Sequence, residues 1–156
     1  MKKGMRETNE KERLLLALFY CQNVPDSGEG QRQGLEKEYG GSLRLFPVPC
    51  SGRVEPQHLL RALEEFADAA YVITCPEGAC RYFEGNLRAR KRVERTRDLI
   101  AGIGLERERI GILALNAGSP KTLSEVAKDI MSVIGGLGFS PVFQGRGKGR
   151  EGRKVI

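Results

Sequence analysis

The longest uninterrupted apolar run in the chain is Leu14-Leu-Leu-Ala-Leu-Phe-Tyr-Cys21. Its eight residues are far fewer than the roughly 20 that a membrane-spanning helix needs. They match the length of a β-strand that is buried on both faces, the kind found in parallel sheets covered by helices. This run therefore predicts an α/β fold in which it forms an inner strand.

Further apolar segments alternate with amphipathic ones along the chain. The other strand candidates are Leu43–Val48, Ala69–Thr74 and Ile110–Leu115. The helix candidates are Gln31–Tyr39, a helix starting at Pro56, Arg81–Ile103 with Gly104 as its stop, and a last helix starting at Ser119-Pro120. This alternation predicts right-handed crossovers and a small doubly wound parallel sheet of about four strands, in the order 2-1-3-4, with helices on both faces.

The helical periodicity also predicts which side chains face the core. For the helix after Pro56 these are Leu59, Leu60, Leu63, Phe66 and Ala67. For Arg81–Ile103 they are Ala89, Val93, Thr96, Ile100 and Ile103. For the last helix they are Leu123, Val126, Ala127, Ile130, Val133, Ile134 and Leu137.

The two ends of the chain differ in composition from its body. We expect residues 1–12 to be a polar arm, 13–143 a single domain, and 144–156 a flexible basic tail rich in Gly and Arg. The start of the chain has no signal-peptide pattern and no apolar run is long enough for a membrane span, so we expect a cytoplasmic protein. Of the net charge of +6, the tail supplies +4, since five Lys and Arg stand there against Glu151. The remaining +2 disfavours nucleic acid as the partner of the domain.

The four cysteines all fall at the carboxyl ends of predicted strands. Cys21 ends the first strand, Cys50 follows the second, Cys75 ends the third, and Cys80 lies in the loop after it. Ligands of open α/β sheets bind at this edge, and neighbouring strands are only about 4.8 Å apart. Because cytosolic thiols stay reduced, we interpret the four as ligands of a metal centre rather than as two disulfides.

Four thiolates suit either an iron–sulfur cluster or a structural zinc ion. The spacing C-x28-C-x24-C-x4-C lacks the paired short knuckles of most zinc sites, which lowers zinc without excluding it. Ser51, Gly52 and Arg53 follow Cys50, and we expect them to contribute to cofactor binding. Glycine lets backbone N–H groups approach sulfur, and Arg53 offsets the charge of a thiolate-ligated centre.

Three stretches of the chain resemble a known family, the delta subunit of methyl-viologen-reducing (F420-non-reducing) hydrogenase. They are Leu18-Phe-Tyr-Cys-Gln-Asn-Val24, Val48-Pro-Cys-Ser-Gly-Arg-Val-Glu-Pro56 and Thr74-Cys-Pro-Glu-Gly-Ala-Cys-Arg-Tyr-Phe-Glu-Gly-Asn86, and Lys91-Arg-Val-Glu94 also fits. The resemblance covers about residues 14–137. It implies a [2Fe–2S] cluster held by Cys21, Cys50, Cys75 and Cys80, in a non-catalytic electron-transfer subunit.

The resemblance also implies partners. They are a heterodisulfide-reductase-like flavin subunit and a hydrogenase or other dehydrogenase module, in a hetero-oligomeric oxidoreductase of anaerobic metabolism. The family's first motif resembles Cys-Asn-Trp-Cys, whereas this chain has Cys21-Gln-Asn-Val24 and so lacks one of five usual cysteines. If that cysteine is a ligand, the chain is a cluster-less scaffold. A zinc- or thiol-based regulator associated with nucleic acid is a third hypothesis, suggested by the basic residues of 81–97 and of the tail.

Overall fold

The computed structural model describes residues 14–24, 27–75, 84–114 and 122–143. Within them, four β-strands form one sheet: β1 Leu16–Cys21, β2 Leu43–Val48, β3 Ala69–Thr74 and β4 Ile110–Ala114. The order is β2-β1-β3-β4, and every neighbouring pair is parallel. The predicted fold class and strand order are therefore confirmed.

Helices cover both faces of this sheet. In the described residues they are α1 Glu29–Tyr39, α2 Pro56–Glu65, α3 Gly85–Gly102 and α4 Leu123–Gly135. Short 3₁₀ turns lie at Gly40–Ser42, Ser51–Arg53, Arg107–Arg109 and Pro141–Phe143. None of the helices described is both long and apolar enough to cross a membrane.

The alternation of side chains along each strand produces two separate cores. On one face, Leu16 and Leu18 of β1 pack in a cluster with Leu35 of α1 and with Leu123 and Ile130 of α4. On the other face, the neighbouring residues of β1 and β3 pack against α2 and α3; that cluster includes Ala17, Val72, Leu63, Phe66 and Val93. Because both faces are covered, strands β1 and β3 are almost wholly apolar, as the run at Leu14–Cys21 indicates.

Several predicted helix boundaries differ from the structure. The first helix begins at Glu29, two residues before the predicted start. The last begins after Thr122, which forms a capping box with Glu125: the Thr122 Oγ1 accepts from the Glu125 N–H at 3.3 Å, and Glu125 accepts from the Thr122 N–H at 2.8 Å. The predicted starts at Ser119-Pro120 and Arg81 lie outside the described residues.

Two residues predicted to face the core are exposed. Val133 is 53% exposed, because it lies beside the buried stripe of α4 rather than within it. Ile103 is 76% exposed, because α3 ends at Gly102 and the chain turns away at Gly104, which has φ +94°. The predicted stop at Gly104 is thus confirmed. The helix ends one residue earlier than predicted, so Ile103 lies outside it and does not face the core. The predicted terminal arm and tail lie outside the described residues, so the division into arm, domain and tail stays a prediction.

His58, for which the sequence offers no catalytic partner, has a local role. Its Nδ1 accepts a hydrogen bond from the Glu55 N–H at 2.9 Å, at the beginning of α2. The Glu55 side chain in turn caps the helix, and Pro56 is its first residue. His58 and Pro56 therefore serve to start a helix.

At the amino-terminal edge of the sheet, the buried Arg109 forms hydrogen bonds with several separate segments of the chain. Arg109 is 1% exposed and its Nε donates to Glu106 at 2.6 Å, which holds the pKa of Glu106 below its usual range. Its two Nη atoms donate at 3.1–3.4 Å to backbone carbonyls, those of Asp68, Leu137, Gly138 and Phe139. The guanidinium thus ties the start of β3 to the turn after α4.

Asp68 completes this tie. Its side chain is fully buried and accepts two backbone N–H bonds at 2.8 Å, one from Leu15 before β1 and one from Ser140. Asp68 and Arg109 therefore fix the amino-terminal edge through charge-assisted hydrogen bonds.

We expect Arg109→Leu to lower the free energy of unfolding by about 3 kcal/mol or more, because buried carbonyls lose their donor. Urea unfolding measures the change. Arg107→Leu is the matched control: Arg107 pairs with Asp98 at 2.6 Å, but its side chain is 47% exposed, so we expect a loss below about 1 kcal/mol. Equal losses in the two variants would contradict the structural role of Arg109.

Candidate metal centre

Three of the four cysteines lie at the carboxyl-terminal edge of the sheet. Cys21 is the last residue of β1, Cys50 follows β2 by two residues, and Cys75 comes directly after β3. All three are buried. Cys80 lies outside the described residues. The parallel pairing of β1 with both β2 and β3 is what brings these strand ends to one edge.

Cys21 and Cys75 are in direct contact. Their Sγ atoms are 3.5 Å apart, far longer than the roughly 2.05 Å of a disulfide bond. Two thiolates that bind the same tetrahedral metal ion at about 2.3 Å lie about 3.8 Å from each other. The separation found here is that of a hydrogen bond between two thiols, and it is about 0.3 Å shorter than the separation of two thiolates on one metal ion.

The turn after β1 surrounds the Cys21 sulfur with hydrogen-bond partners. The backbone N–H and the side-chain amide of Asn23 lie 3.5 and 3.6 Å from Cys21 Sγ, and the same amide also donates to the Pro49 carbonyl at 3.4 Å. The Val24 N–H donates to the Cys21 carbonyl at 3.1 Å and closes the turn. Val24 itself is 5% exposed and lies in the same apolar cluster as Cys21 and Cys75.

The segment after Cys50 is a short 3₁₀ turn packed against the start of α3. The Gly52 N–H donates to Cys50 Sγ at 3.4 Å, the close approach of a glycine N–H to sulfur that the sequence predicts. A Cβ atom at Gly52 would stand 2.7 Å from Gly85 Cα and 3.0 Å from the Gly85 carbonyl oxygen. Only glycine at this position allows α3 to begin so close to Cys50.

A polar network joins the Cys50 segment to the Cys75 segment. Ser51 is 1% exposed, and its hydroxyl lies 2.9 Å from Thr74 Oγ1, which in turn donates to the Cys75 carbonyl at 3.3 Å. The Asn86 side-chain amide donates to the same carbonyl at 3.3 Å. Ser51, predicted to contribute to cofactor binding, thus contacts the end of β3 across the intervening β1 and fixes the two loops relative to each other.

Arg92 of α3 holds the Cys50 segment from outside. Its Nη1 donates to the Gly52 carbonyl and, at 3.3 Å, to the Val54 carbonyl. The side chain is half-buried between α3 and the 3₁₀ turn. Since Gly52 donates to the Cys50 sulfur, Arg92 positions the residue that contacts Cys50.

The structure therefore assembles part of the predicted site. It brings Cys21 and Cys75 together and places Cys50 on the same edge, but among the described residues no three His, Cys, Asp or Glu side chains form a group able to hold one metal ion. Arg53 is exposed beside Cys50 and shares a cleft with it. The assignment of Cys21, Cys50, Cys75 and Cys80 as ligands stays a prediction.

Three residues that contact the cysteine segments were not predicted from the sequence. They are Asn23, Asn86 and Arg92. All three lie in the stretches that carry the family resemblance, which is the signal that would have found them. Their roles depend on which loops the sheet brings together, and residue type alone does not show that.

Fold and site together define a small parallel α/β domain with thiols gathered at the carboxyl edge of its sheet. The family model described as methyl-viologen-reducing hydrogenase, delta subunit, matches residues 16–138. The chain belongs to this family.

The relatives agree with that membership. The chain is 30% identical over 130 residues to the vhc iron-sulfur subunit of the F420-non-reducing hydrogenase of Methanococcus voltae, a match that covers 83% of this chain and 90% of the relative. It is 34% identical over 104 residues to the iron-sulfur subunit of the F420-non-reducing hydrogenase of Archaeoglobus profundus, covering 67% of this chain and 76% of the relative.

A third relative is much longer than this chain. It is a subunit of the Ferredoxin/F(420)H(2)-dependent CoB-CoM heterodisulfide reductase of Methanosarcina acetivorans, 30% identical over 100 residues. The match covers 64% of this chain but only 13% of that protein. A stretch similar to this chain is thus one part of a much larger polypeptide.

We expect Arg92→Leu to lower the free energy of unfolding by about 2 kcal/mol, because two carbonyls lose a charged donor. The metal-free protein should also react faster with a maleimide at Cys50, by several-fold, since the 3₁₀ turn that buries this thiol is released. Peptide mass spectrometry measures the site-specific rate. Arg90→Leu, on the exposed side of α3, is the control, and an equal labelling rate at Cys50 in both variants would refute the positioning role.

Proposed function

We propose that this chain is the iron–sulfur electron-transfer subunit of a cytoplasmic multi-subunit oxidoreductase. It holds one [2Fe–2S] cluster through Cys21, Cys50, Cys75 and Cys80 and transforms no substrate of its own. The observation that carries the proposal is the contact between the Cys21 and Cys75 sulfur atoms at 3.5 Å, in a chain that belongs to this family.

The residues present fit such a cluster. Two sulfurs in contact suit a shared iron, and the chain has two further cysteines for a second one. When bound, the cluster supplies one-electron transfer, chemistry that no protein side chain of this site provides. We therefore assign Cys21 and Cys75 to one iron, with Cys50 and Cys80 completing the set.

The surrounding residues would set the properties of the centre. The N–H groups of Asn23 and Gly52 point to the sulfurs of Cys21 and Cys50, and such bonds stabilise the negative charge of thiolates. Hydrogen bonds to cluster sulfurs raise the reduction potential. Val24 packs beside Cys21 and keeps water from that side of the site.

The relatives support the partners. Two of them are named as iron-sulfur subunits of hydrogenases, and one is named as part of a heterodisulfide reductase. In the last, a stretch similar to this chain belongs to the reductase polypeptide itself. We propose that this chain relays electrons between a hydrogenase- or dehydrogenase-type module and a heterodisulfide-reductase-like flavoprotein that it contacts directly.

One observation favours a second function. Val24 occupies a position where the family motif has cysteine, and it is buried beside Cys21 and Cys75. If that position binds iron in relatives, this chain is a scaffold in the same complex and holds no cluster. The two functions differ in what the purified chain contains.

Anaerobic purification followed by iron and sulfide analysis separates them. We expect two irons and two sulfides per chain, and we expect Cys21→Ala and Cys75→Ala to lose them because each removes a thiolate. Val24→Ala is the matched control, because it also truncates a buried side chain of the apolar core around Cys21 and Cys75. This variant should keep both irons while its free energy of unfolding falls by about 1 kcal/mol.

Val24→Cys restores the family motif and completes the test. Unchanged iron content in this variant supports a site that is complete with four cysteines. Iron found in Val24→Cys but missing from the natural chain would establish the scaffold function. Zinc in place of iron would contradict the electron-transfer function and leave the scaffold or the nucleic-acid-associated regulator.

A further inference from the structure

A cleft of about 180 Å³ opens next to Cys50. Its lining residues are Cys50, Gly52, Arg53, Gly85 and Arg88. Gly52 and Gly85 lie close together and have no side chains, so neither residue fills the cleft. Cys50, one of the proposed ligands, therefore lines an opening that it shares with Arg53 and Arg88.

The positive charge around this cleft continues along α3. Arg88, Lys91 and Arg95 follow each other at spacings of three and four residues, so they form one stripe on the outer face of the helix. All three are exposed, as is Arg53. We call these four residues the basic rim.

The carboxylates near the basic rim lie mostly along α3, away from the cleft itself. Glu84 lies 4.0 Å from Arg88, but both side chains are about two-thirds exposed, at 70% and 67%, so the pair is weak. Glu94 and Asp98 follow Lys91 and Arg95 by three residues, so they lie beside the part of the basic rim that is farther along α3 from the cleft, and Asp98 pairs with Arg107 at 2.6 Å. Around the opening, the described part of the chain thus presents more cations than carboxylates.

We propose that the Cys50 cleft and its basic rim form the docking surface for an acidic face of the partner flavoprotein. This inference rests on the proposed function, because it places the electron-exchange partner over one of the proposed ligands. Charges at the edge of an interface steer the approach of an oppositely charged partner and fix its orientation. A solvated basic helix with no partner needs no concentration of charge around the opening at Cys50.

The test measures binding of the anaerobically purified chain to the heterodisulfide-reductase-like flavoprotein of the same organism, by calorimetry at several salt concentrations. We expect affinity to fall as salt rises, because the attraction is screened over about 8 Å at physiological ionic strength. We expect Arg53→Glu/Arg88→Glu to bind at least about tenfold more weakly at low salt. Arg53→Lys/Arg88→Lys keeps the charge and should bind within about twofold of the natural chain.

The control is Arg61→Glu/Arg107→Glu, which changes the net charge by the same amount at exposed sites away from the cleft. Arg61 is 64% exposed on α2 and Arg107 is 47% exposed at the amino-terminal edge of the sheet. We expect this control to bind like the natural chain at moderate salt. Equal weakening in both double variants, or none in Arg53→Glu/Arg88→Glu, would overturn the docking surface.

Two further measurements on the same samples keep the outcomes distinct. Iron analysis tests the proposed function separately from the docking surface. If the natural chain contains no iron but binds the flavoprotein, and Arg53→Glu/Arg88→Glu weakens that binding, the docking surface is supported and the electron-transfer function is contradicted. Titration with an RNA of about 20 nucleotides tests whether the basic rim binds nucleic acid in place of an acidic protein. Salt-dependent RNA binding that Arg53→Glu/Arg88→Glu abolishes, with flavoprotein binding unchanged, would overturn the inference in favour of nucleic acid.

Discussion

The contact between the sulfur atoms of Cys21 and Cys75 is set by the parallel pairing of β1 and β3. The register of these strands places Tyr20 opposite Ile73, so Cys21, one residue further on, and Cys75, two residues further on, leave the sheet side by side and their sulfur atoms meet. A shift by one residue would turn one of the thiols to the opposite face of the sheet. Both faces of these strands pack against different sets of side chains, and a shift would exchange the two sets. The site therefore depends on the same packing that specifies the fold.

The two edges of the sheet have different tasks. At the amino-terminal edge, Asp68 and Arg109 satisfy backbone groups from three separate segments. At the carboxyl-terminal edge, loops supply thiols, N–H donors and a cleft. The hydrogen bonds at the amino-terminal edge fix the beginnings of β1, β3 and β4, so the loops at the carboxyl-terminal edge start from fixed positions. This arrangement is general for open α/β sheets, whose ligands bind at the carboxyl ends of the strands.

Sequence reasoning predicted the parts that follow from strand-length apolar runs. The order β2-β1-β3-β4 and the shared edge of Cys21, Cys50 and Cys75 follow from alternation and crossover handedness. Helix ends were less predictable: Ser119-Pro120 and Thr122 are both good starts, and the capping box with Glu125 decides for Thr122. Ile103 was misplaced because periodicity alone does not show where a helix stops.

Residues that act across loops were beyond prediction from the pattern. Arg92 reads as one more charge on a basic helix, and its carbonyl partners become visible only when α3 packs on Gly52. Charge patterning along one helix contains no information about which loop that helix will meet. The same holds for Asn86, whose partner is the Cys75 carbonyl of a neighbouring strand end.

The central claim is that the thiols hold a redox-active two-iron cluster. The most direct test is the EPR spectrum of the anaerobically purified chain after reduction with dithionite. We expect the signal of a reduced two-iron cluster, integrating to about one spin per chain. No signal, from a folded chain that contains no iron, would contradict the claim.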